Sequence, residues 1–418
     1  MKALVIAEKP SVAMALASVL GARTRKDGYV EGNGYIVSWC VGHLVGLCDA
    51  SEYDEKYKKW RYEDLPIVPE CWKHKILEGT KKQFGILKKL MRDSKVDEVI
   101  CATDAGREGE LIFRLVYEQA GCRKPMKRLW ISSMEEQAIK DGFSSLKDGS
   151  CYDSLYQSAL CRAKADWLVG INASRLFSVL YNQNLKVGRV QTPTLAMIVD
   201  RNQKIKEFTK EKYYMAHIKF DDMDAVTEHF QKKEDADKVA ADCAERMCEV
   251  EKDDVKEKTV RPPKLYDLTT LQREANRMFG YTAQQTLDAV QEMYEQKLVT
   301  YPRTDSQYLT DEMGESTETL IQMLLGKMPY AEGLEYQPDV SKVLNSKKVS
   351  DHHAIIPTME VAKADIGKLK ERNCKILYLI SARVLTATAD PYIYESHKCQ
   401  ITCNYHTFYL TAKKTKQE

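Results

Sequence analysis

The chain has 418 residues, 44% of them hydrophobic and 30% charged, with a formal net charge of +2. That composition excludes a disordered chain, and the length calls for roughly two to four hydrophobic cores rather than one. No apolar run approaches the roughly 20 residues of a membrane span, and a start that turns charged at Glu8-Lys9 is no secretory signal, so the cytoplasm is the expected compartment.

The first 150 residues alternate strand-like and helix-like patterns. Residues 3–7 form a short apolar run suited to a buried parallel strand, and Pro10-Ser11 opens a helix through Leu20. Strands are predicted at 35–39, 98–102 and 128–131, and helices at 84–91 and 109–119. Ser132-Ser133-Met134-Glu135 has the spacing of a capping box that starts a further helix. Such alternation predicts a three-layer α/β domain whose ligands sit at the carboxyl ends of its strands.

Residues 153–180 read as one helix, and Thr192-Pro193 as a cap followed by proline at the first helical position. From Gln157 to Lys212, ten lysines and arginines stand against four carboxylates, a basic stretch that suits either a phosphate track or a solvated helix surface. Residues 214–220 alternate like a half-exposed strand, 235–247 form a charged helix, 249–258 an exposed strand, and Arg261-Pro262-Pro263 a break. Helices are predicted at 268–278, 283–296 and 374–389, a polar loop at 331–350, and two short strands across 395–410. The twelve cysteines contain no Cys-x-x-Cys, and the pairs Cys243/Cys248 and Cys399/Cys403 have no second pair nearby, so they read as packing residues.

Two groups of residues carry chemistry. Glu8-Lys9-Pro10-Ser11 and Asp104-Ala105-Gly106-Arg107-Glu108-Gly109-Glu110 each follow a predicted strand. On neighbouring strands, Glu8, Asp104 and Glu108 would converge, and carboxylates so placed favour a partly hydrated Mg²⁺ shared with a substrate phosphate. The alternative is that Asp104 caps the helix after it while Glu108 faces solvent. The second group is Tyr301-Pro302-Arg303-Thr304-Asp305-Ser306. A phenol, whose ordinary pKa is about 10, is a poor nucleophile unless a charge stabilises its oxyanion, and Arg303 supplies one that also grips phosphate. Lys9 could protonate a departing oxygen or steady a phosphate charge, and His352 and His353 could touch a phosphate, although histidines before an apolar turn are often structural.

Glu8-Lys9-Pro10-Ser11, the 103–110 loop, Gly188-Arg189-Val190-Gln191-Thr192-Pro193-Thr194, the Tyr301 segment and His352-His353-Ala354-Ile355-Ile356-Pro357-Thr358 occur in this order and span essentially the whole chain. Together they resemble the type IA DNA topoisomerases, of the bacterial topoisomerase III branch. The resemblance implies a multidomain α/β plus α fold. A Toprim domain would occupy 1–150 and the first part of a helical single-strand-DNA groove domain 151–212. A β-rich arch segment (213–264), a helical domain carrying the tyrosine (265–394) and the start of the returning arch (395–418) would follow. It further implies that Tyr301 attacks one strand of single-stranded or underwound, negatively supercoiled DNA and keeps the 5′ phosphate. Arg303 would stabilise the transition state, Lys9 would protonate the leaving 3′ oxygen, and Glu8 would sit beside it. Glu8, Asp104 and Glu108 would hold Mg²⁺. Arg162, Arg175, Arg189, Gln191, Thr192 and His352 would contact DNA. A monomer that needs no ATP is implied, and the absence of a Gly-x-x-x-x-Gly-Lys loop agrees. Two departures bear on this. Gly106 stands where members of the family often carry a further aspartate, which favours one Mg²⁺ over two. The chain also stops at Glu418, early in the expected return, which leaves a DNA-binding or cleavage-only fragment as the alternative. A nuclease or primase with an incidental tyrosine is disfavoured by the Tyr301 and Gly188–Thr194 segments.

Overall fold

The computed structural model describes residues 2–417 except 221, 335, 336 and 351. In chain order the first regular elements are β1 (Lys2–Ala7), α1 (Pro10–Leu20), β2 (Thr24–Lys26), β3 (Tyr29–Gly32), β4 (Tyr35–Trp39), β5 (Val45–Leu47), β6 (His74–Ile76) and α2 (Lys81–Arg92). β7 (Val96–Ala102), α3 (Arg107–Ala120), β8 (Met126–Arg128), α4 (Glu136–Ser144), β9 (Lys147–Asp148), α5 (Asp153–Tyr181) and α6 (Gln191–Lys206) follow. Then come β10 (His217–Phe220), β11 (Met223–Val226), α7 (Lys233–Cys243), β12 (Cys248–Val260), α8 (Leu268–Phe279) and α9 (Ala283–Glu295). The last are α10 (Gly314–Lys327), α11 (Glu371–Ala387), β13 (Tyr392–Cys403) and β14 (His406–Gln417).

The chain divides into two compact units, one of Met1–Val199, Leu265–Glu332 and Leu344–Ala382, the other of Asp200–Lys264, Gly333–Val343 and Arg383–Glu418. The first unit is built on a seven-stranded sheet of order β2-β3-β4-β1-β7-β8-β9. β1 runs parallel to β4 and β7, and β7 parallel to β8, while the edge pairs are antiparallel. Leu4 through Ala7 are fully buried, so the strand is covered on both faces, which is why its sequence reads as an unbroken apolar run. On one side Leu4, Ile6, Val99 and Cys101 meet Phe84 and Leu87 of α2 and Leu111, Phe113 and Val116 of α3. α1 starts where Pro10 needs no hydrogen-bond partner and ends at Gly21, whose φ of 75° is left-handed.

The second unit carries a five-stranded antiparallel sheet, β10-β11-β14-β13-β12, with Ala225, Val239, Ile401, Cys403 and Phe408 in its core. The short strands expected at 395–410 are a hairpin of two twelve-residue strands, and the exposed strand at 249–258 is thirteen-residue β12, paired with β13 along its length. Cross-strand partners far along the chain extend strands beyond their own local pattern.

Other local expectations shift as well. The Ser132–Glu135 capping box does not form: α4 starts at Glu136, and Ser133 Oγ instead accepts from the Glu135 amide. α6 begins at Gln191, so Pro193 sits third in the helix, where its missing N–H is still one of the unpaired first-turn donors. Thr192 Oγ1 accepts from the Gly188 amide rather than capping the helix. The 331–350 loop, whose residues 335 and 336 lie outside the described set, carries 3₁₀ turns at Val340–Val343 and Ser346–Lys348.

Candidate active site

Register explains why the acidic residues meet. Ala7 of β1 pairs with Ala102 of β7, so the chains leave the sheet side by side at its carboxyl edge, with Glu8 and Asp104 next along. The loop after β7 is tight: Thr103 Oγ1 donates to the Gly109 carbonyl at 2.8 Å, and a Cβ on Gly109 would lie 2.1 Å from the Asp104 carbonyl oxygen. Only glycine fits there. From the next strand, Arg128 reaches back beneath the loop and donates to the carbonyls of Cys101, Thr103, Leu129 and Asp104 at 2.7–3.2 Å. Its charge meets buried Glu110 at 3.0 Å, and Glu110 also holds Arg114 at 2.8 Å.

Tyr301 comes from the other part of the same unit. Its segment is held by the His352–Thr358 stretch: Thr300 Oγ1 donates to the Ala354 carbonyl, Thr304 Oγ1 to the His352 carbonyl, and the Thr300 amide to Ile356. The Tyr301 amide donates to the Ser132 carbonyl at 3.2 Å, which pins the nucleophile candidate onto the sheet edge. The side chain is 9% exposed, with Tyr294 edge-on at 5.5 Å and His352 over it at 4.2 Å between ring centroids. Its hydroxyl faces the Asp104 carboxylate and the Arg303 guanidinium, whose opposite charges both act on it. A cleft of about 700 Å³ opens from this point, lined among others by Glu8, His43, Asp104, Glu108, Arg162 and Arg303.

Burial and the Asp104 charge raise the Tyr301 phenol above its ordinary value, and Arg303 pulls against them. Burial and Asp104 push the Glu8 carboxyl up to about 7, with Lys9 and Arg303 opposing. Asp104 is itself raised by burial. Two carboxyls crowded in this way share a deficit of positive charge, as expected of residues that accept a cation. Glu108 differs: its Oε1 lies 2.6 Å from His43 Nε2, which holds its carboxyl below the usual range. Among the described residues no three His, Cys, Asp or Glu side chains converge on a common metal position. The donor set therefore fits a hydrated ion on two carboxylates, not a closed three-carboxylate cage.

The remaining expected residues are spread along this unit. Arg162 lines the cleft. Arg189 is paired with Asp166 at 2.6 Å on the surface, and Gln191 and Thr192 open α6 beside it. Arg175 does not face a groove: it is 5% exposed and packs against Trp60 at 5.3 Å. His352 is 4% exposed, with Nδ1 3.1 Å from Ser132 Oγ and Nε2 on the Ala105 carbonyl, and burial lowers it to about 4. Both of its nitrogens are engaged inside the protein. His353 is likewise lowered by burial.

Comparison with known proteins adds to this geometry. A family model for DNA topoisomerase matches residues 150–418, and one for the Toprim domain matches residues 3–134. The chain belongs to the type IA DNA topoisomerase family. On its topoisomerase III branch, it is 40% identical over 426 residues to DNA topoisomerase 3 of Staphylococcus haemolyticus, covering 100% of this chain and 60% of that one. It is 43% identical over 433 residues to DNA topoisomerase 3 of Bacillus cereus, covering 99% and 58%. The fold matches full-length topoisomerase I from Thermotoga maritima with a TM-score of 0.73 at 24% identity, over 99% of this chain and 66% of that one. The chain thus spans about 60% of the length of these topoisomerase 3 relatives. Toprim domains bind divalent metal such as Mg²⁺, in keeping with the Glu8–Asp104 pair. No helix among the described residues is long and apolar enough to cross a membrane.

Sequence reading missed several residues of this cleft. Arg128 carried one signal, a charge in an otherwise apolar strand before Leu129-Trp130. His43 carried none, because its partner Glu108 lies 65 positions away. Gln291 and Glu295 sit on a helix ten and six residues before Tyr301 and look like ordinary polar surface.

Proposed function

We propose that this chain cleaves one strand of single-stranded or underwound DNA through Tyr301 and rejoins it. The observation that carries this is the buried phenol facing Asp104 and Arg303 in one cleft at the carboxyl edge of the sheet. Tyr301 Oη, giving its proton toward the Asp104 carboxylate, bonds to phosphorus as the P–O3′ bond breaks. The product is a 5′-phosphotyrosine and a free 3′ hydroxyl, whose proton comes from Lys9. Arg303 stabilises the charge that grows on the non-bridging oxygens. Religation is the reverse, and because the ester conserves the bond energy no ATP is needed. Glu8 and Asp104, with Glu108 in support, would hold Mg²⁺, which when bound supplies charge for the phosphate. Arg162, Arg189, Gln191 and Thr192 are proposed to follow the strand beyond the cleft. His352 contributes by packing on Tyr301, and a phosphate contact would require it to release Ser132 or Ala105.

Relaxation or decatenation of DNA by a cytoplasmic monomer is the corresponding activity of the whole protein. The family relationship favours this reading over a fragment that only binds DNA. A denaturing gel with a labelled single-stranded oligonucleotide and Mg²⁺ tests the chemistry. A protein-sized labelled band is expected from the unmodified chain and not from Tyr301→Phe, while both shift the oligonucleotide on a native gel. A band that survives the substitution refutes Tyr301 as the nucleophile.

A further inference from the structure

One face of α9 meets each reactive group in turn. Gln291, Tyr294 and Glu295 stand at positions i, i+3 and i+4, which share a helix face. Gln291 Oε1 accepts from an Arg303 guanidinium nitrogen at 2.8 Å. The Tyr294 ring stands edge-on to Tyr301, 79° between planes. Glu295 Oε1 accepts from Lys9 Nζ at 3.4 Å. Gln291 Nε2 donates to the same Glu295 oxygen at 3.1 Å, which closes a continuous chain from Arg303 through Gln291 and Glu295 to Lys9.

An exposed Gln–Glu pair at this spacing is common decoration on a helix and worth little by itself. Here both side chains are half-buried, and both ends of the Gln291 amide are used, so its orientation is set. Lys9 and Arg303 arrive from segments almost 300 residues apart and would otherwise be long, flexible cations beside two carboxylates, free to collapse onto Glu8 or Asp104. The α9 face gives each cation an alternative anchor at a fixed distance from the phenol. We infer that Gln291 and Glu295 are positioning residues for cleavage. In this role Gln291 aims the Arg303 fork, and Glu295 holds the Lys9 ammonium where the leaving oxygen will form, both placed by the helix that also packs Tyr294 on the nucleophile. This rests on the reading of Tyr301 as the nucleophile.

The test is single-turnover cleavage of a labelled oligonucleotide by the unmodified chain, by Gln291→Met and by Glu295→Gln. Each substitution is repeated in a background that lacks its partner, Arg303→Ala for the first and Lys9→Ala for the second. Methionine keeps the shape and helix preference of glutamine. Glutamine at 295 keeps an acceptor for Lys9 and removes only the charge, so it reports even if Gln291→Met melts early. Misplacing a reacting group by about 1 Å costs on the order of 100-fold, so cleavage about 10–100-fold slower is expected in the single variants, with oligonucleotide affinity within about twofold. In the partner-less backgrounds the same substitutions should change the rate by less than about twofold, because the interaction they remove is already gone. Equal slowing in both backgrounds, or unmodified rates in both single variants, would overturn the inference while leaving Tyr301 chemistry intact. No adduct from the unmodified chain would overturn the functional reading and this inference with it.

Discussion

Replacing Glu8 by glutamine should stabilise the metal-free protein while damaging its chemistry. In the folded chain the Glu8 carboxyl is lifted from 4.5 to about 7, chiefly by burial and then by Asp104. A folded value above the unfolded one means that the folded state prefers the protonated acid. Stability is therefore fully present below pH 4.5 and is lost as pH rises through about 7. At 1.36 kcal/mol per pH unit that interval amounts to about 3 kcal/mol at most, and to about 2 kcal/mol allowing for Glu8's partial contact with cleft water. The cost belongs to the Glu8–Asp104 pair, because the two titrate together. All five tryptophans, Trp39, Trp60, Trp72, Trp130 and Trp167, lie in the first unit, so their fluorescence reports its melting separately from that of the second. At pH 8 without divalent metal, Glu8→Gln should raise that transition by about 4–6 °C, taking about 2 °C per kcal/mol for a large domain. At pH 4.5 the gain should vanish, because Glu8 is then protonated. Mg²⁺ at pH 8 should stabilise the unmodified chain more than the variant. A variant that melts with the unmodified chain at pH 8, or whose gain persists at pH 4.5, would refute the claim that burial of the Glu8 carboxylate beside Asp104 strains this site.

Gly109→Ala should collapse the acidic loop, since its Cβ would sit 2.1 Å from the Asp104 carbonyl oxygen. Lost adduct formation and an early fluorescence transition are expected, and normal cleavage would refute the tight-loop reading. At Gly106 an added Cβ meets nothing within 4 Å, and the backbone is extended with φ 172°, so Gly106→Asp should be tolerated. As an N-cap of α3 in place of glycine it should add only about 0.3 kcal/mol of stability. The extra carboxylate should also lower the Mg²⁺ concentration needed for cleavage, read as a titration midpoint. Arg303→Ala should slow cleavage by about 100-fold or more while binding changes little, as expected of a charge that acts in the transition state. Burial holds His352 at about 4, below its unfolded value, so stability should be lost as pH falls from 6.5 toward 4. His352→Gln should flatten that loss in urea midpoints compared at pH 7 and pH 5.

Much of the fold was legible because its signals are local. The apolar run at 3–7, Pro10 at a helix start and the repeated strand–helix alternation gave the parallel sheet and its carboxyl edge. α8 and α9 were readable for the same reason, although their N-caps, Asp267 and Thr282, were not read. Elements that depend on a distant partner were misjudged. β12, β13 and β14 are longer than their own patterns suggest, whereas the Ser133 and Thr192 expectations failed for a local reason, their hydroxyls accepting from amides two and four residues away instead of capping a helix.

The chemistry divides in the same way. Residue type and order named Glu8, Lys9, Asp104, Tyr301 and Arg303, because a phenol beside a guanidinium and carboxylates after strands are choices of functional group, and functional groups are written in the sequence. Which groups touch was decided by tertiary structure. The in-register β1–β7 pair brings Glu8 beside Asp104, His43 draws Glu108 aside, burial withdraws Arg175, and α9 sets Gln291 and Glu295 against Arg303 and Lys9. Distance, burial and shared charge are properties of pairs brought together by folding, and no single position along the chain carries them.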